Sequence, residues 1–113
     1  MKHQHPGLAS GKWEGLSFSE QMANIGSEVE RKIIWENKKN TLYSQKAIRR
    51  AFELLSLTIT DQKNKGRLKE LTRLREVLID YFFGQNQYSS SDRLWQNYFY
   101  AFTYLSRINV KHS

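Results

Sequence analysis

Lys63, Lys65, Arg67 and Lys69 alternate along the chain and Arg73 follows four residues later, so Lys65, Lys69 and Arg73 fall on one side of a helix drawn through them. A run of this kind binds phosphates by displacing their counterions. Its affinity falls steeply with salt and depends little on base sequence. Lys46, Arg49 and Arg50 form a second basic group upstream. These eight residues are the candidate nucleic-acid contacts. From Gln62 to Gly84 six basic residues face three acidic ones, and the segment before Arg67 has no acid after Asp61.

Residue types for bond-making chemistry are scarce. There is no cysteine, which excludes disulfides, thiolate zinc sites and thiol nucleophiles. His3 and His5 would make half a metal site on a segment that offers no third ligand, so no metal is expected. No P-loop, nucleophile elbow or zincin helix occurs. Pairs such as Glu28 with Lys32 and Glu70 with Arg73 have the spacing of helix-surface ion pairs and need no catalytic role. The chain therefore reads as a non-enzymatic binding protein without a cofactor, and no base-specific reading motif is present.

Composition sets the same bounds. With 113 residues, 39% hydrophobic and 26% charged, the chain suits one globular domain. Eighteen Lys and Arg against eleven Asp and Glu give a net charge of +7, a field that attracts polyanions. Nucleic acid, RNA or DNA, is the first partner this suggests and an acidic protein the second. No apolar run approaches the roughly 18 residues of a membrane span or the roughly 7 of a secretory core. No membrane association is expected, and the cytoplasm is the default location.

Four amphipathic helices must position these residues. After an N-terminal arm over residues 1–16, from which Trp13 and Leu16 are expected to fold back as the first apolar contacts, Ser17 and Glu20 have capping-box spacing, and Phe18, Met22, Ile25, Val29 and Ile33 repeat at helical steps to about residue 37. Gly26 lies beside this stripe, where close approach of a neighbouring helix would offset its cost. A second helix is predicted over 41–60, capped by Thr41, with Ile48, Ala51, Phe52, Leu55 and Ile59 inward. A third over 67–83 turns in Leu68, Leu71, Leu74, Leu78, Tyr81 and Phe82, and Gly84 stops it. A fourth over 92–108 has Leu94, Tyr98, Ala101, Leu105 and Ile108 as its inward set, before a tail over 110–113. Short connections predict an all-α, up-down-up-down antiparallel four-helix bundle. One pole would then gather Lys63, Lys65, Arg67 and Lys69 with Lys2, Lys12, Arg107 and Lys111.

The fourth helix is apolar most of the way round. Trp95, Phe99, Tyr100 and Tyr104 flank or oppose the inward set and form a candidate oligomer or partner interface, since Trp and Tyr anchor such surfaces. Stacking of bases on the tyrosines is an alternative use.

Two resemblances bear on function. Arg107 and His112, with four residues between them, resemble the R-x4-H signature of HEPN ribonucleases, although Ile108 stands where that family usually has a polar residue. The resemblance implies that Arg107 orients a phosphate and His112 acts as general acid or base, across a dimer. The stretch from Leu16 to Arg107 includes Gln21-Met22-Ala23-Asn24-Ile25-Gly26-Ser27-Glu28-Val29 and Arg73-Leu74-Arg75-Glu76-Val77-Leu78-Ile79-Asp80-Tyr81-Phe82-Phe83. It resembles a group of short bacterial proteins. In size, basicity and predicted bundle it is similar to the accessory variability determinants of diversity-generating retroelements. That similarity implies a homo-oligomeric ring with a basic surface that binds nucleic acid and a reverse transcriptase. A protein-protein adaptor or antitoxin-like bundle docking through the aromatic helix is the alternative to nucleic-acid binding.

Overall fold

A computed structural model describes residues 11–112, with side chains to residue 108. Its elements are all helical: α1 (Gly11–Glu14), α2 (Phe18–Asn37), α3 (Thr41–Thr60), a 3-10 helix (Gln62–Arg67), α4 (Leu68–Phe83) and α5 (Asp92–His112). No strand occurs among the described residues. None of these helices is long and apolar enough to cross a membrane.

Local chemistry sets the helix ends. Ser17 and Glu20 form the expected reciprocal capping box: the Glu20 amide donates to Ser17 Oγ at 3.1 Å and the Ser17 amide to Glu20 Oε1 at 2.9 Å. α3 is capped by Asn40, one residue before the predicted Thr41, because its carboxamide oxygen accepts from the Tyr43 amide at 3.0 Å. Ser91 caps α5 by accepting from the Leu94 amide at 3.1 Å. The loop between α4 and α5 is tied down by Asp80, whose two carboxylate oxygens accept from the Gln87 and Tyr88 amides.

α2 is the central helix and packs against both α3 and α5, while α4 leans on α3. Its beginning meets the end of α3, where Gln21 bonds Asp61, and its end meets the beginning of α3, where Lys32 bonds Ser44. These two helices run antiparallel. So do α2 and α5, since Glu30 faces Gln96, Gly26 faces Phe99 and Phe18 packs edge-on against Phe102. Met22, Ile25, Val29 and Ile33 of α2, Ile48, Ala51, Leu54 and Leu55 of α3, and Leu71, Leu74 and Leu78 of α4 form one core.

Three expectations need revision. Residues 11–14, assigned from sequence to the arm, form a helical turn, and Trp13, expected to fold back, is buried in the core and donates its indole N–H to Thr58 Oγ1 at 3.2 Å. Leu68 is exposed, because the 3-10 helix delivers the chain to α4 one turn before its buried ridge begins. The inward face of α5 is also turned. Trp95 and Phe99 are 3% and 4% exposed, whereas Leu94 and Leu105 are 46% and 44% exposed. Large rings remove more apolar surface from water than leucines do, so the aromatic stripe wins the core position.

Candidate nucleic-acid interface

The pole where α3 ends and α4 begins is organised by a buried polar network. Gln21 Nε2 donates to the Trp13 carbonyl at 2.9 Å and to Asp61 Oδ2 at 2.8 Å. Asn64 Nδ2 donates to Gln21 Oε1 and to the Thr58 carbonyl, both at 2.9 Å. Asp61 also accepts from the Lys63 amide, and the Lys63 ammonium bridges Asp61 and the Glu14 carbonyl. Burial alone would raise the Asp61 carboxyl, but the bonds from Lys63 and Gln21 outweigh it and hold it below the ordinary range. One network thus locks α1, α2, α3 and the 3-10 helix together.

Lys63 is therefore not a free phosphate contact. Its charge is spent on Asp61, and equally Asp61 is spent on Lys63 and Gln21. That leaves the neighbouring Lys65 and Lys69 exposed and, among the described residues, without an ion pair. The Arg67 guanidinium lies over the Phe18 ring, its carbon 4.1 Å from the centroid, a contact that leaves its charge without a carboxylate partner. Arg73 lies over the Tyr88 ring at 4.8 Å, and the Tyr88 hydroxyl donates to Glu76 at 3.0 Å. Lys69 and Arg73 share a shallow hollow on α4 with Glu70 and Glu76, so its charge is partly compensated.

The second basic group is not brought to this pole. Arg49 precedes Asp61 by twelve residues, about 18 Å along α3 at 1.5 Å per residue. Arg50 faces α2 and pairs with Glu28 at 3.4 Å, a carboxylate that Arg31 also holds at 3.1 Å. Lys46 lies over the Tyr43 ring at 5.8 Å. Arg49 lines a groove with Phe52 and the exposed Phe83. The eight predicted contacts thus separate into a pole group of Lys65, Arg67 and Lys69, the adjacent Arg73, a neutralised Lys63 and Arg50, and a distant Lys46 and Arg49.

The predicted interface on α5 also divides. Trp95 and Phe99 belong to the core, packed edge-on against Tyr98 and facing α2, and cannot present themselves to a partner without unfolding. Tyr100 and Tyr104 are 64% and 56% exposed. Tyr98 is half-buried, and that burial, with the nearby Glu70 charge, pushes its hydroxyl up to about 12. Leu94, Ala101 and Leu105, predicted to be inward, instead form an exposed apolar stripe. Sequence reasoning also passed over Arg93, exposed on the same helix. The signal was available in the absence of any carboxylate on α5 after Asp92.

Between α2 and α5 lies a cleft of about 490 Å³, to which Ser27, Arg31, Trp95, Gln96, Tyr100 and Thr103 contribute. The Trp95 indole N–H has no acceptor, alone among the buried side-chain polar atoms of the described residues. An orphan donor of this kind costs about 1–3 kcal/mol.

No cluster of three metal-ligating side chains occurs among the described residues. His3 and His5 lie outside those residues, and so do Lys2 and the side chains of Lys111 and His112. Arg107 is exposed on α5, which continues to His112. The geometry of the R-x4-H pair therefore lies outside the described residues. Comparison of the chain with protein-family models, curated proteins and solved structures finds no match.

Proposed function

We propose that the protein is a non-catalytic nucleic-acid-binding accessory protein, oligomeric, built as an up-down-up-down antiparallel four-helix bundle that takes phosphates at one pole. The observation that carries this reading is the pairing of Asp61 with Lys63 and Gln21. It occupies the Asp61 carboxylate and leaves Lys65, Arg67 and Lys69 without an ion pair among the described residues. Arg67, whose guanidinium rests over the Phe18 ring, keeps its charge available for phosphate. The antiparallel run of α2 against α3 and α5 supports the bundle topology. The similarity to accessory variability determinants extends the reading to a protein partner, a reverse transcriptase.

Charge reversal tests it. Lys65→Glu with Lys69→Glu should lower affinity for mixed-sequence RNA or DNA at least tenfold at moderate salt, roughly what losing two phosphate contacts and adding repulsion implies. The helical circular dichroism spectrum should not change. Binding at full strength by this variant overturns the pole assignment.

A second reading, a protein-protein adaptor docking through α5, is favoured by one observation: Leu94, Ala101 and Leu105 are exposed at heptad spacing. The same stripe is the natural seam for self-association. Association that tolerates high salt and is lost with Leu94→Glu and Leu105→Glu supports it, and association indifferent to those changes ends it.

A further inference from the structure

Arg93, Tyr100, Tyr104 and Arg107 on α5 are spaced by seven, four and three residues, which keeps them on one face of a helix. All four are exposed. Among the described residues neither tyrosine ring packs on another ring, neither hydroxyl is bonded, and neither guanidinium has a carboxylate partner. The row spans fourteen residue-to-residue steps, about 21 Å at 1.5 Å per residue. α5 carries no carboxylate after Asp92, which is itself engaged by the Tyr81 hydroxyl at 2.6 Å. Beside the row opens the cleft between α2 and α5, lined in part by Tyr100, Thr103 and Arg31. Glu30 on its wall accepts from Gln96 Nε2 at 3.3 Å.

We propose that this face binds single-stranded nucleic acid, with bases stacked on Tyr100 and Tyr104 and phosphates met by Arg93 and Arg107. An exposed tyrosine offers a flat face to any base, so stacking is tolerant of sequence, and arginine beside it supplies charge and a second stacking plane. A duplex hides its base faces inside the helix and cannot use the tyrosines. A protein partner or second copy is better served by the Leu94, Ala101 and Leu105 stripe, which lies about 110° further round α5 at 100° per residue. The two faces of the helix thus have separate uses. The inference goes beyond phosphate binding at the pole, adding a second surface and a preference for unpaired strands, and it shares with that reading only the polyanionic ligand.

Fluorescence anisotropy with labelled oligothymidine or oligouridine of about twelve nucleotides, within the range a small stacking surface covers, provides the test. A blunt duplex of equal length serves as the control. The parent protein should prefer the single strand. Tyr100→Ala with Tyr104→Ala should weaken single-strand binding at least tenfold and leave duplex binding within about twofold, since the loss of stacking touches only unpaired bases. Lys65→Glu with Lys69→Glu should weaken both. If the tyrosine variant binds the single strand as well as the parent while duplex binding still depends on Lys65 and Lys69, this inference fails and the pole reading stands. If the parent binds neither form, both fail. Equal loss on both substrates, or a loss that sedimentation traces to broken self-association, also overturns the stacking assignment.

Discussion

Gly26 and Phe99 bring α2 and α5 into close contact: a Cβ added at Gly26 would lie 2.5 Å from the Phe99 Cβ. A Cβ is fixed to its backbone, so rotation of the phenyl ring gives no relief and the helices themselves must part. In an open helix Gly→Ala gains about 1 kcal/mol. Here overpacking reverses the sign, and Gly26→Ala should cost about 1–3 kcal/mol. Urea denaturation should show a lower midpoint at unchanged slope.

How far the fold was legible follows from cases like this one. Gly26 beside a clean stripe of Met22, Ile25, Val29 and Ile33 announced a close helix neighbour, and Ser17 with Glu20 announced the cap, because both signals are local and rest on residue types with one good use. α5 was misread because it carries two helical stripes at once. Leu94, Ala101 and Leu105 satisfy the period as well as Trp95, Phe99 and Phe102 do, and the larger area of the rings, with the room Gly26 leaves for Phe99, decides between them. The basic run was visible, but its partition was not. Nothing in spacing alone says that Gln21, forty residues away, would join Lys63 in holding Asp61.

The network at the pole should behave as one unit. Asn64→Ala removes the donor to Gln21 Oε1, leaving that oxygen unsatisfied, and one of two donors to the Thr58 carbonyl, which keeps the Asp61 amide at 3.3 Å. A loss of about 1–3 kcal/mol is expected for each group left unsatisfied. Thermal unfolding should register it as a fall of several degrees, on the order of 4–8 °C per kcal/mol for a domain of this size.

Acid stability should depend on Asp61. Its carboxyl is held below the ordinary 3.8, so the folded state binds this proton less readily than the unfolded chain. The stabilisation is therefore fully present above about pH 4–5 and is lost as the pH falls through the folded value. Denaturation midpoints measured from pH 6 down to pH 2 should drop less steeply in Asp61→Asn than in the parent. Parallel curves would contradict the assignment.

Trp95 and Tyr104 should separate cleanly in stability. Trp95→Ala empties a core position and should cost about 3–5 kcal/mol, whereas Trp95→Phe, which keeps most of the ring and removes the orphan N–H, should cost much less. Tyr104→Ala on the exposed face should stay within about 0.5 kcal/mol. Equal losses at both positions in chemical denaturation would mean that Tyr104 is also part of a buried surface.

The claim on which the functional account depends is that the pole carries free cations that neutralise phosphates. Its most direct measurement is the affinity of the parent protein for a short mixed-sequence duplex across a series of salt concentrations. Three contacts, from Lys65, Arg67 and Lys69, predict a log-log slope of about −2.7, from roughly −0.9 per phosphate neutralised. The slope should become shallower by about two units in Lys65→Ala with Lys69→Ala. A slope near zero, or one that these substitutions leave unchanged, would contradict the account.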